Sequence, residues 1–236
     1  MNFNSACAVP EIVPKELWEE EYTAKLCIPS SSRVDPAKAL LLFSEILSLK
    51  RPMKVLDAGC GNGRNAIYLA QRGCDVTALD FAKAAIRETG RRVVDSGVID
   101  RVTVVEHFID DPIPFTDGFF DFGLDAYTFC HFLNREAGRR FWEEMRRVVR
   151  PNGHLLSIAF SFEDEYYQRF LKDSPDRLCV CDPSNGIWKR LYSEAELKSL
   201  WSSLFEIRYF TRFEFTDVVL GKAYRRSLFA SVLRRP

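Results

Sequence analysis

The chain has 236 residues, 33 basic against 33 acidic side chains, no formal net charge and a hydrophobic share of 47%. That length and apolar content suit one large α/β domain with additions and exclude a disordered chain. The balanced charge disfavours nucleic acid as a partner, and no apolar run approaches the roughly 18 residues of a membrane span.

Met1 to Pro10 has neither the basic start nor the apolar centre of a signal peptide, so a cytoplasmic protein with a frayed start is expected. The seven cysteines include no CxxC pair, and Cys179-x-Cys181 has no second pair to complete a zinc site. They read as reduced thiols, and no metal site is expected.

Pro14 suits a helix start, and Lys15 to Lys25 carries a partial apolar stripe of Leu17, Trp18 and Tyr22. Pro29 to Arg33 reads as a loop. Pro36 to Leu49 reads as a helix apolar almost all round and therefore buried. From Lys54 the chain alternates. Strands are expected at Lys54 to Asp57, Asp75 to Leu79, Arg101 to Glu106, Phe119 to Leu124 and Leu155 to Phe160. Helices are expected at Arg64 to Gln71, Ala82 to Asp95 and Arg135 to Val149, with Pro151-Asn152-Gly153 as a turn. That rhythm predicts parallel crossovers and a doubly wound sheet. Residues 161 to 192 read as irregular and rich in aromatics. Ser193 to Leu204 opens with a capping box, and Phe205 to Phe215 with Tyr224 to Leu233 reads as a closing hairpin.

The most informative stretch is Val55-Leu56-Asp57-Ala58-Gly59-Cys60-Gly61-Asn62-Gly63-Arg64. A strand ends in an acid, a tight glycine loop follows, and a helix N-terminus comes next, with its unpaired N–H groups. Asp80, at the end of the second strand, has the spacing of an acid that accepts both hydroxyls of a ribose. The pattern G-x-G-x-G is not that of dinucleotide binders, and a P-loop Lys-Ser/Thr is absent. A carboxylate at Asp57 suits a ligand with a positive amino-acid end.

This loop resembles motif I of the class I S-adenosyl-L-methionine (SAM) dependent methyltransferases. Gly61 to Ala70 and Asp75 to Asp80 are similar to the branch with tellurite-resistance and thiopurine-type enzymes. The likeness covers roughly residues 36 to 160. It implies a Rossmann-like seven-stranded sheet with an antiparallel C-terminal hairpin. It also implies a helical lid or extension over residues 1–35 before a domain over 36–236, in which 161–192 caps the substrate. Trp18, Tyr22 and Arg33 are the lid candidates.

The resemblance makes SAM the cofactor. Gly59, Gly61 and Gly63 let the loop pass under its methionine part, Asp57 takes the ammonium and Arg64 the carboxylate. Asp80 takes the ribose, Phe81 packs on sugar or adenine, and Asp110 accepts from the adenine amino group. Asp125 and Tyr127, after strand 4, line the sulfonium or the acceptor. His131 is the best general-base candidate, and Tyr127 and Tyr167 are expected near the acceptor. The Asn/Asp-Pro-Pro-Tyr/Phe signature of nucleic-acid amino methylases is absent. The expectation is methyl transfer to a small molecule by a monomer or homodimer, in secondary metabolism or detoxification. Two alternatives stand beside it. One is cyclisation of SAM to azetidine-2-carboxylate with release of methylthioadenosine, and the other is SAM binding without catalysis.

Overall fold

Seven strands form one sheet in the order β3-β2-β1-β4-β5-β9-β8 in a computed structural model, which describes residues 9–10, 13–49, 52–171 and 178–236. The strands are β1 (Lys54–Ala58), β2 (Asp75–Asp80), β3 (Val102–Glu106), β4 (Phe120–Ala126), β5 (Val149–Phe160), β8 (Glu206–Val219) and β9 (Lys222–Arg234). The first five run parallel, whereas β9 runs antiparallel to β5 and to β8. This is the doubly wound sheet and closing hairpin that the alternation predicts. β2 and β3 lie on one side of β1, β4 and β5 on the other. The order therefore reverses between β1 and β4, and a crevice opens beyond their carboxyl ends.

The helices follow from local signals. Gly63, with φ of 76°, turns the chain into α4 (Arg64–Gln71). α5 (Lys83–Asp95) connects β2 and β3. Asn134 caps α6 (Arg135–Val148), accepting from the amides of Glu136 at 2.7 Å and Ala137 at 3.4 Å. The apolar face of α6 buries Phe141, Trp142, Met145 and Val148. The capping box of Ser193 and Glu196 opens α8 (Glu194–Ser202) as expected.

Several local readings change. The first helix is α1 (Lys15–Glu20), continued by a π-turn over Glu21–Lys25, and residues Pro29–Ser32 form a short helix, α2, where a loop is expected. α3 (Lys38–Ile46) is not buried all round: Leu41, Leu42 and Ile46 stay exposed because only one face meets the core. Pro151-Asn152-Gly153 is absorbed into β5, with the register shifting between Phe120 and Phe122. Residues 161–192 are not irregular throughout. They contain α7 (Glu165–Leu171) and a ladder of β6 (Cys179–Cys181) with β7 (Trp188–Arg190). The frayed start expected for residues 1–13 lies mostly outside the described residues. No helix of the described residues is long and apolar enough to cross a membrane, and no group of three metal-ligating side chains occurs among them.

The N-terminal helices are held down by buried polar contacts. Glu19 accepts from the amides of Lys83 (2.6 Å) and Ala84 (2.9 Å), so it caps α5 from outside. Glu21 is fully buried. Its carboxylate accepts from Cys27 N, Ile28 N, Ser31 Oγ and Asn185 Nδ2. Asn62 Nδ2 donates to the carbonyls of Ser31 and Arg33, and Asn65 Oδ1 accepts from Ala37 N. The glycine loop and α4 thus clasp residues 31–37. Hydrogen bonds to a charged group are worth about 1.5–3 kcal/mol each. Glu21→Ala is accordingly expected to raise the exchange rate of the Cys27 and Ile28 amides by at least about tenfold, with β1 and β4 unchanged. Hydrogen–deuterium exchange by mass spectrometry checks this.

Candidate active site

The glycine loop sits on the carboxyl end of β2. Gly59 N and Cys60 N both donate to Leu79 O, at 2.8 and 2.9 Å. Gly59, Gly61 and Gly63 all have positive φ. At Gly59 a Cβ would also come within 2.1 Å of Thr128 Oγ1, which donates to Ala58 O. Only glycine lets the loop and the segment after β4 approach so closely.

Asp80 anchors the same loop. Its Oδ2 accepts from Gly61 N at 2.9 Å and its Oδ1 from Ala82 N at 3.0 Å. Burial pushes its pKa up to about 6 against those hydrogen bonds. Asp57 is fully buried, and neither of its carboxylate oxygens has a hydrogen bond of full geometry, although the Ala66 N–H favours its charged form weakly. Its pKa rises to about 7, through burial first, with Arg64 opposing and Asp80 adding to the rise.

Two cavities meet here. The smaller, about 90 Å³, is walled by Trp18, Tyr22, Gly59, Asp80, Phe81 and Asp110, among others. The larger, about 530 Å³, reaches Arg64, Phe160, Tyr167 and the C-terminal hairpin. Tyr127 and His131 line both. Tyr127 has φ of 75°, a strained conformation for a residue with a Cβ. It is fixed by its N–H bond to Ile158 O and by stacking on Phe160 at 5.1 Å.

His131 Nδ1 lies 3.0 Å from Trp188 O. A carbonyl only accepts, so Nδ1 carries the proton and Nε2 keeps a lone pair. Burial, then Lys189, lowers its pKa to about 3, so the ring stays neutral. Trp18 packs edge-on against it, with ring centroids 4.6 Å apart.

The expected site residues thus separate. Gly59, Asp80, Phe81, Asp110, Tyr127 and His131 face the small cavity, whereas Arg64 and Tyr167 face the large one. Asp57, Gly61 and Gly63 line neither cavity. Asp125 lines neither cavity. It is fully buried, and its oxygens accept from Phe129 N and Ser157 Oγ, so it orders the turn that carries His131. Arg64 donates to the main-chain carbonyl of Asp35 at 3.0 Å. Of the lid candidates, Trp18 and Tyr22 reach the small cavity and Arg33 the large one.

The residues fit SAM. Asp57 has two buried oxygens without a hydrogen bond, and Asp110 Oδ1, 3.8 Å from Arg140 Nη2, also lacks one. Such a buried carboxylate suits an ammonium, and an acceptor at Asp110 suits an adenine amino group.

Residues 55–153 match the family described as a methyltransferase domain. That stretch, from β1 through the turn of β5, is where this chain is similar to methyltransferases. The chain is 34% identical to the sarcosine/dimethylglycine N-methyltransferase of Halorhodospira halochloris, over 43% of this chain and 36% of that one. It is 30% identical to the probable S-adenosyl-L-methionine-dependent methyltransferase TehB of Haemophilus influenzae, over 62% of this chain and 47% of that one. The chain therefore spans about a third to a half of these relatives' lengths. A 1,6-didemethyltoxoflavin-N1-methyltransferase from Burkholderia thailandensis, solved with S-adenosylhomocysteine, shares the fold. Its TM-score is 0.70 at 21% identity, over 94% of this chain and 86% of that one.

Sequence reasoning missed the contributions of Glu19, Glu21, Asn62, Asn65 and Lys189. A polar residue inside the glycine motif, at Asn62, was the one available signal.

Proposed function

We propose that this protein is a methyltransferase that transfers a methyl group from SAM to a small-molecule acceptor held in the larger cavity. The observation that carries this reading is the junction: Tyr127 and His131 stand between the two cavities, beyond the carboxyl ends of β1 and β4. SAM supplies an electrophilic methyl group on a good leaving group. The chain's residues then have to align two reactants and exclude water.

In this reading Asp57 meets the ammonium, Arg64 the methionine carboxylate, Asp80 the ribose hydroxyls, Phe81 the sugar or base, and Asp110 the adenine amino group. Trp18 and Tyr22, on the N-terminal segment, cover the junction. His131 accepts a hydrogen bond through Nε2 from the attacking group. As a weak base it orients that group more than it deprotonates it, which suits an acceptor already nucleophilic at neutral pH. Tyr167 shapes the acceptor wall. Two of the similar proteins are named for small acceptors, sarcosine/dimethylglycine and 1,6-didemethyltoxoflavin, which supports a small molecule, whereas another is named an EEF1A lysine methyltransferase.

Incubation with SAM, alone and with an acceptor library, followed by mass spectrometry of the products, tests this. S-adenosylhomocysteine formed only when an acceptor is added is the expected result. Methylthioadenosine with a cyclised aminobutyrate fragment from SAM alone would replace methyl transfer by the intramolecular reaction.

A further inference from the structure

The larger cavity holds more positive charge than methyl transfer requires. Arg33, Lys38, Arg64, Lys189 and Arg226 line it, against the carboxylates of Asp35 and Asp217. Three of these cations lie deep: Arg64 is 6% exposed, Lys189 2% and Arg226 4%. The desolvation cost of a buried cation is offset only when it is well paired.

The pairing is uneven. Arg226 Nε donates to Asp164 Oδ2 at 2.8 Å, but Nη1 comes no closer than 4.0 Å to Asp217. Arg64 faces a main-chain carbonyl and is already assigned to the methionine carboxylate of SAM, so it does not count towards the excess. Lys189 is matched least. Its nearest carboxylate oxygen among the described residues, Asp182 Oδ2, is 3.9 Å away, and its hydrogen bond to Ile187 O is long at 3.4 Å. Burial lowers its pKa from the ordinary lysine value, which an anion beside it would reverse.

Aromatic faces surround the same two cations. Lys189 Nζ stands 5.4 Å from the Tyr167 ring centre, and the Arg226 guanidinium 5.2 Å from Tyr167 and 5.6 Å from Phe160. Rings cradle the cations but supply no counter-charge. A sulfonium at the junction would add a further positive charge.

Resting on the reading that this cavity holds the methyl acceptor, we propose that the acceptor is a small planar organic anion. Its carboxylate or phosphate is gripped by Lys189 and Arg226, and its ring lies among Tyr127, Phe160 and Tyr167. An anion paired with two cations is a poor nucleophile, so the methylated atom belongs to another group of the same molecule.

The test is calorimetric titration of the full chain saturated with S-adenosylhomocysteine, using benzoate against benzamide and phenyl phosphate against phenol. At least one anion is expected to bind about tenfold or more tightly than its neutral partner. The better anion names the headgroup. Lys189→Met should lose that preference and Lys189→Arg retain it, with S-adenosylhomocysteine affinity unchanged in both. Equal binding within both pairs, no binding of either anion, or undiminished anion binding by Lys189→Met overturns the proposal. Should Lys189→Met fail to fold, the matched pairs on the natural chain decide alone. Failure of S-adenosylhomocysteine itself to bind would instead overturn the methyltransferase reading and take the acceptor assignment with it.

Discussion

Asp80→Ala is expected to cost about 2–4 kcal/mol of stability and to weaken S-adenosylhomocysteine binding by at least about a hundredfold. The stability loss comes from two amides. Gly61 N and Ala82 N both donate to the Asp80 carboxylate, and Asp80 itself is buried. Removing the acceptor leaves two amide donors unpaired, at roughly 1–3 kcal/mol each, less whatever water recovers. The binding loss has a separate origin. The same residue lines the small cavity, where the proposed reading has its remaining lone pairs take the ribose hydroxyls. Asp80→Asn separates the two. It keeps one acceptor oxygen, so its stability should fall between those of Asp80→Ala and the natural chain, while ribose recognition stays impaired. Denaturant unfolding and calorimetric titration measure the two effects. A threefold or smaller change in affinity for Asp80→Ala would exclude it as the ribose acceptor.

Asp57→Asn is expected to stabilise the ligand-free protein above pH 7 and to weaken its hold on the cofactor. The sign follows from linkage. The folded Asp57 carboxyl has a pKa raised from 3.8 to about 7. The folded state therefore holds a proton that the unfolded chain releases, and this contribution is full below about pH 4 and is lost as pH rises towards 7. By pH 8 the ionised, buried carboxylate disfavours folding by up to about 4 kcal/mol. An asparagine does not titrate. The variant should thus gain stability relative to the natural chain between pH 5 and pH 8. Denaturant midpoints at the two pH values read this difference directly, free of the other titrating groups common to both proteins. S-adenosylhomocysteine binding should run the other way. An ammonium beside Asp57 favours the ionised form, so affinity in the natural chain rises through pH 6–7 and stays nearly flat in Asp57→Asn. A variant that loses stability more steeply than the natural chain as pH rises would contradict the burial argument.

These two residues show what was legible. Asp57 and Asp80 stand out in the sequence because each ends a strand beside a glycine loop, and strand ends and glycine turns are local signals. The β1–loop–α4 unit, the parallel alternation and the C-terminal hairpin rest on the same short-range grammar of periodicity, caps and turns. Asp125 has the same local appearance, at the end of β4, yet its oxygens are consumed by Phe129 N and Ser157 Oγ. The difference lies in partners 4 and 32 residues away. No spacing rule contains the second.

Glu19 and Glu21 look like ordinary charges on a short helix, yet Glu19 caps α5 and Glu21 collects four donors in the interior. His131 is the general-base candidate of the sequence, but only the carbonyl of Trp188, 57 residues away, fixes which nitrogen carries its proton. The sequence by itself determined the alternating strands and helices of a doubly wound sheet and the glycine loop, because each depends on neighbours within a few residues. Only the tertiary structure decided which carboxylates are free and which are spent. It also brought Arg64, Lys189 and Arg226 to one cavity from three distant segments, because charge and burial at a point depend on everything packed around it.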